Sequence, residues 1–186
     1  VARHVPAGVM SGERGWAVGL LMLANAGLHD RLPEAGSGFR ETAADYFLHD
    51  IAPGDQVLLM KLNLLPEINS GLAEAFAGPQ AARLLERLYH RQLLVTRDGP
   101  AGAAFQLHDL LREYLAALLD KRLAKAEQAS LREQAAVVLH EAGKTDAAIA
   151  LALQAGAWPL ARRLILDSAD AVLAEGRRAT FIEWCA

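Results

Sequence analysis

The chain has 186 residues, of which 53% are hydrophobic and 22% are charged, and its formal net charge is −3. This composition is globular rather than disordered, and its mildly acidic balance gives no general reason to expect binding to nucleic acid or to an anionic membrane. The single cysteine, Cys185, excludes an internal disulfide framework and fits a reducing, cytoplasmic location. No apolar run approaches the roughly 20 residues needed to span a bilayer.

The chain begins with a predicted helix that is apolar on all sides, from Glu13 to about Leu28. Helices of this kind are normally buried. Residues 31–38 are rich in proline and glycine and form the clearest linker. A second helix is predicted over 39–51, and Pro53-Gly54-Asp55 separates it from the helix that follows.

The middle of the chain combines three helices with a β-hairpin. The helices are predicted at 55–65, 70–76 and 79–92, and Ser70 is the expected cap of the second. Two short strands, 93–97 and 104–107, flank a glycine-rich turn over residues 98–102. Three helices followed by a hairpin is the order of a winged helix-turn-helix.

The last third of the chain is predicted to be helical throughout. A helix from His108 to about Leu123 is followed by shorter ones at 131–141, 145–154, 158–166 and 169–175. Single small residues separate most of these helices, which suggests stacked α-hairpins. The predicted fold is therefore mainly α: a winged helix-turn-helix with a small β-hairpin, followed by TPR-like α-hairpin repeats.

His108 lies where the second strand of the hairpin runs into the following helix, and Asp109 stands in the first turn of that helix. The start of a helix presents unpaired backbone N–H groups and a partial positive charge. A histidine there is biased toward its neutral form and can donate a ring N–H to an anion. Capping of its own helix, or filling of a polar gap in the core, is the alternative that the residues leave open.

Several segments, in chain order, resemble the STAND signalling NTPases, and more narrowly the MalT-like branch of large ATP-binding LuxR-family regulators. They are Gly15-Trp16-Ala17-Val18-Gly19-Leu20, the winged helix, the triplet Leu107-His108-Asp109 and the alanine-rich hairpins after Ala142. The resemblance implies an internal fragment of a longer regulator. Residues 1–35 would end the helical part of its nucleotide-binding module, 36–125 would be the winged-helix domain, and 126–186 would start the helical-repeat sensor region.

The resemblance also implies a role for His108. In that superfamily a histidine within a Met-His-Asp-like motif contacts the phosphates of bound ADP, and Leu107 stands here where methionine is common. The complete protein would bind ATP and ADP. No nucleotide is expected on this piece, which has no Gly-x-x-x-x-Gly-Lys-Ser/Thr loop. The winged helix would thus act as an intramolecular nucleotide-sensing latch of a transcriptional activator.

The partners implied by the resemblance are mostly outside this chain. They are the upstream nucleotide-binding domain in cis, a small-molecule or protein inducer on the downstream repeats, further copies of the active protein, and DNA through a separate C-terminal domain. No catalytic residue and no membrane contact is predicted, and a slow ATPase activity is left open for the complete protein. No metal site is predicted either, because Asp45 and His49 on one helix face fall short of the three or four ligands that a site needs.

DNA binding by the winged helix itself is the first alternative. The helix over 79–92 occupies the recognition position, and Arg83, Arg87 and Arg91 recur along it at four-residue spacing. An ordinary solvated face, or a surface that docks onto the nucleotide-binding domain, would show the same stripe. The second alternative is an α-helical interaction scaffold without any link to a nucleotide.

Overall fold

The computed structural model describes residues 51–91, 94–98 and 103–185. Within these ranges the chain forms eight helices. They are α1 (Pro53–Leu62), α2 (Ser70–Ala77), α3 (Pro79–His90), α4 (Asp109–Arg122), α5 (Lys125–Glu141), α6 (Thr145–Gln154), α7 (Trp158–Ala174) and α8 (Arg178–Cys185). The predicted helices before Ile51, the linker over 31–38, Asp45 and His49 lie outside the described residues.

Three short strands form one antiparallel sheet in the order β1-β3-β2. They are β1 (Ile68–Asn69), β2 (Val95–Asp98) and β3 (Ala104–Leu107). In β3, Phe105 and Leu107 are buried and Gln106 is exposed, which is the alternation expected of a sheet with one covered face. The register pairs Phe105 with Ile68 on one side and Leu107 with Val95 on the other, so β3 is the central strand.

The element order α1, β1, α2, α3, β2, β3 confirms the predicted winged helix-turn-helix. Gly78 makes the turn between α2 and α3, where its φ of 85° and ψ of 170° suit glycine and few other residues. The prediction that Ser70 caps α2 is wrong. Asn69 is the cap, and its Oδ1 accepts a hydrogen bond from the backbone N–H of Leu72 at 2.8 Å.

The helical region after the winged helix differs from the prediction in α5 and α7, and α8 is a further helix that the prediction did not include. Residues 158–166 and 169–175 were expected to form two helices, but α7 is continuous across them. Ser168 does not interrupt α7, because its buried hydroxyl donates to the carbonyl oxygen of Leu164 at 2.7 Å and so is satisfied within the helix. The helix expected at 131–141 begins earlier, at Lys125, where the Glu127 carboxylate accepts from the backbone N–H of Ala124 at 2.9 Å.

One hydrophobic core runs from the winged helix into the α-hairpins. Helix α2 packs against α5, and α5 packs in turn against α6. The largest fully buried side chains in this core are Leu59, Leu62, Leu65, Ile68, Leu84, Leu85, Leu107, Leu111, Leu115, Leu139, Ile149 and Leu164. Small residues such as Ala135, Ala136 and Ala148 are completely buried between the helices of the hairpins, which brings neighbouring helices close together.

Candidate functional site

His108 stands between β3 and α4, and its backbone is held on both sides. Its N–H donates to the carbonyl oxygen of Leu94 at 2.9 Å, and its own carbonyl oxygen accepts from the N–H of Arg112 at 3.0 Å. The residue is partly buried. The predicted junction of strand and helix at His108 is therefore present, and its backbone position is fixed by the residue before β2 and by the first turn of α4.

Arg112 and Asn63 join the first turns of α4 to the loop between α1 and β1. The guanidinium of Arg112 donates through Nη1 to the carbonyl oxygen of Leu65 at 3.3 Å and through Nη2 to that of Pro66 at 3.5 Å. In the opposite direction, Nδ2 of Asn63 donates to the carbonyl oxygen of Arg112 at 3.0 Å. These bonds connect residues 46 to 49 positions apart in the chain.

Near His108, the guanidinium of Arg112 is a partly buried cation. Burial removes water from the Arg112 guanidinium and lowers its pKa, while the nearby Asp109 carboxylate acts in the opposite direction and raises it. Asp109 is exposed in the first turn of α4, where a negative charge is also favoured by the positive end of the helix. The corner thus combines a histidine, a retained cation and an acidic first turn.

The three arginines proposed for DNA contact lie on or just after α3, opposite its buried leucines. Arg83, Arg87 and Arg91 are all exposed, and Arg91 follows the last residue of the helix. Nη2 of Arg87 forms an ion pair with Oδ2 of Asp55 at 2.7 Å, which joins the last turn of α3 to the first turn of α1. A DNA contact by Arg87 would therefore compete with an internal partner.

An acidic residue interrupts the basic stripe. Glu86 forms an ion pair with Arg97 of β2, and its other carboxylate oxygen lies 3.8 Å from Nε2 of His90. The Arg97 guanidinium also stacks on two aromatic rings, 4.7 Å from the centroid of Tyr89 and 4.8 Å from that of Phe105. The Arg97 side chain therefore links the hairpin to α3 through contacts with Glu86 and Tyr89. The exposed face of α3 carries both positive and negative charges.

The residues predicted for function thus fall into two sets on different elements. The ion pairs of α3 involve Asp55, Glu86 and Arg97, whereas the backbone of His108 is bonded to Leu94 and Arg112. Across the described residues, no three side chains of the metal-binding types come together in a way that could hold an ion. None of the described helices has both the length and the apolar character needed to cross a membrane.

The sequence was also compared with models of known protein families. Residues 44–127 match the model of the MalT winged helix domain. The match takes in all of α1 to α4 and the sheet, a little under half of the chain, and it supports the resemblance to MalT-like regulators for this segment. No curated protein matches the chain.

Within the segment that is similar to the MalT winged helix, three contact-forming residues were missed from the sequence: Asn63, Arg97 and Arg112. Arg97 carried a usable signal, because the hairpin register places it directly opposite Phe105. Asn63 and Arg112 carried none, since their hydrogen bonds go to backbone atoms far away in the chain. The role of His108 toward a nucleotide and that of Arg83, Arg87 and Arg91 toward DNA stay predictions.

Proposed function

We propose that this chain is part of a MalT-like, STAND-class transcriptional activator that depends on ATP, and that its winged helix acts as an intramolecular latch that senses the bound nucleotide. In this proposal residues 1–35 end the nucleotide-binding module, 36–125 form the winged-helix domain and 126–186 begin the sensor repeats. The protein would act in the cytoplasm, and the winged helix would have no catalytic residue. The observation that carries the proposal is the place of His108 at the start of α4.

Three properties of this corner suit the contact with an anion. His108 is a partly buried residue. It directly precedes α4, a helix of 14 residues whose first turn adds a partial positive charge. Its backbone is bonded to Leu94 and Arg112, which limits the movement of the His108 backbone relative to the domain.

In the resting state, His108 would donate a ring N–H to the terminal phosphate of ADP held by the upstream nucleotide-binding domain. A hydrogen bond to a charged group contributes about 1.5–3 kcal/mol, and two states of a switch differ by a few kcal/mol, so one such bond is a substantial part of the difference. Exchange for ATP, coupled to an inducer on the repeats, would remove this contact and permit self-association. A separate LuxR-type domain would then bind the DNA.

The proposal is tested by His108→Ala in the complete protein. Loss of about 1.5–3 kcal/mol corresponds to ADP dissociation about ten- to a hundredfold faster, accompanied by higher basal transcription. His90→Ala is the matched control, since His90 is an exposed histidine of the same domain. Unchanged ADP dissociation together with unchanged basal transcription in His108→Ala would count against the latch.

The alternatives give different results. Arg83→Glu combined with Arg91→Glu reverses two exposed charges and leaves the Arg87–Asp55 ion pair intact. Under our proposal this double variant binds DNA as well as the wild type, whereas a winged helix that reads DNA directly would lose affinity. For a scaffold without a nucleotide link, calorimetry of the complete protein with ADP would detect no binding.

A further inference from the structure

We propose that the loop formed by residues 63–67, between α1 and β1, couples the position of the α5–α6 hairpin to the His108 corner, the junction of β3 and α4 at residues 107–112. The inference rests on the proposed function for its biological meaning, because it names how the sensor side would reach the latch. The contacts that carry it do not depend on a nucleotide. They are an ion pair at one end of the loop and a set of hydrogen bonds to Arg112 along its length.

The first contact joins the loop to the helical hairpin. Oε2 of Glu67 lies 2.7 Å from Nζ of Lys144, a residue 77 positions further along the chain. Lys144 connects α5 to α6: its N–H donates to the carbonyl oxygen of Leu139 at 2.8 Å, and its carbonyl oxygen accepts from the N–H of Ala148 at 3.0 Å. A shift of the hairpin relative to the winged helix therefore carries Lys144 with it.

The second set of contacts joins the loop to the corner. The carbonyl oxygens of Leu65 and Pro66 accept from the Arg112 guanidinium, and Asn63 donates to the Arg112 carbonyl oxygen. The backbone N–H of Arg112 in turn donates to the carbonyl oxygen of His108 at 3.0 Å. Only Arg112 therefore stands between the loop and the backbone of His108 in this chain of contacts.

The packing of the loop favours transmission of a displacement from the α5–α6 hairpin to Arg112. Leu65 within the loop and Ile68 directly after it are completely buried, so both are packed against the shared core. Packed side chains transmit strain because there is little free volume around them. A pull on Glu67 from the hairpin is thereby passed to the carbonyl groups that hold Arg112.

The ion pair between Lys144 and Glu67 is exposed to water, which limits how much its removal can change the protein. The side chains of Lys144 and Glu67 are 42% and 48% exposed, and pairs of this kind contribute little because water screens them. We therefore expect removal of the ion pair to change the rate of ADP dissociation from the complete protein by about two- to fivefold and not more.

The experiment uses the 186-residue chain with ¹³C-labelled histidine, and follows the imidazole signals of His108 by NMR. Glu67→Gln and Lys144→Gln each remove one charge of the pair. Asp146→Asn is the matched control: Oδ2 of Asp146 pairs with Nη2 of Arg177 at 2.6 Å, an exposed ion pair that joins the same hairpin to the segment between α7 and α8 and does not involve the loop. Exchange of the two charges, Glu67→Lys with Lys144→Glu, restores the attraction.

We expect the His108 signals to move in both single variants, to stay in place in Asp146→Asn, and to return toward wild type in the exchanged pair. His108 signals that do not respond, that respond equally to Asp146→Asn, or that fail to return in the exchanged pair would overturn the coupling. In the complete protein, Glu67→Gln should change ADP dissociation by about two- to fivefold. If the His108 signals respond while ADP dissociation stays unchanged in both Glu67→Gln and His108→Ala, the coupling stands and the latch is wrong.

Discussion

Leu94 accepts the backbone hydrogen bond of His108 at 2.9 Å while its own backbone is in the left-handed region, with a φ of 54°. Among the non-glycine residues that the structure describes, it is the one with a positive φ. This conformation costs a residue with a side chain about 1–2 kcal/mol. The Leu94 side chain is 5% exposed, and its burial in the core offsets that strain. The carbonyl that holds the His108 corner therefore depends on a buried leucine.

Replacement of Leu94 is expected to reverse the usual order of alanine and glycine. Both variants lose the buried side chain and about 2–5 kcal/mol of stability, but glycine relieves the left-handed strain of about 1–2 kcal/mol and alanine does not. Leu94→Gly should thus be at least as stable as Leu94→Ala in urea unfolding. At Leu88, buried within α3, glycine should be the worse of the two by about 1 kcal/mol. The same order at both positions would contradict the strain at Leu94.

The cap of α2 can be tested with two neighbouring residues. Asn69→Ala removes the side-chain oxygen that accepts from the N–H of Leu72, and should lower the free energy of unfolding by about 0.5–2 kcal/mol. Ser70→Ala changes an exposed residue one position later and should have an effect within about 0.5 kcal/mol. Thermal unfolding of both variants measures the difference. Equal effects would show that Asn69 is not the cap.

The turn between α2 and α3 requires glycine for its backbone and not for space. A Cβ added at Gly78 meets no atom within 4 Å, but its φ is +85°. Gly78→Ala should therefore destabilise the winged helix by about 1–3 kcal/mol. Gly54→Ala is the control, since it lies in the first turn of α1 with equally open space and should stabilise the protein by about 0.4–1 kcal/mol. Denaturant midpoints of the two variants should move in opposite directions.

We expect Arg97 to stabilise the packing of the hairpin on α3 through the planar shape of its guanidinium as well as through its charge. Arg97→Ala loses the ion pair with Glu86 and the stacking on Tyr89 and Phe105, and should cost about 1–2 kcal/mol in urea unfolding. Arg97→Lys keeps a charge but not the planar group, so it should recover less than half of that loss. Full recovery by lysine would mean that charge alone matters. Arg83→Ala, at an exposed position of α3, is the control and should stay within about 0.5 kcal/mol.

The sequence predicted the elements whose patterns are local. Phe105 and Leu107 alternate with Gln106 and precede a helical pattern, so β3 and the corner at His108 were predictable from a few residues. Strand β1 was not, because its two residues are too few to show a period. The continuity of α7 was missed because Asp167-Ser168 resembles a break unless the hydrogen bond from Ser168 to Leu164 is known.

The contacts of the candidate site were less predictable than its position. His108 was found because a strand pattern meets a helix pattern there. Asn63 and Arg112 were not found, because they meet across 49 positions and bond mainly to backbone atoms, which leave no signature in side-chain spacing. Long-range contacts of this kind are decided by how the helices pack, and a single sequence does not contain that information in readable form.

The shared core also affects how this winged helix can be handled in the laboratory. Helix α2 lies against α5, and the core residues Ala135, Ala136 and Leu139 are on α5. A truncation that ends just after α4 would expose the apolar side of α2 to water, and such a surface favours aggregation. Expression vectors for the isolated domain should therefore retain the α5–α6 hairpin, even though the match to the MalT winged helix ends at residue 127.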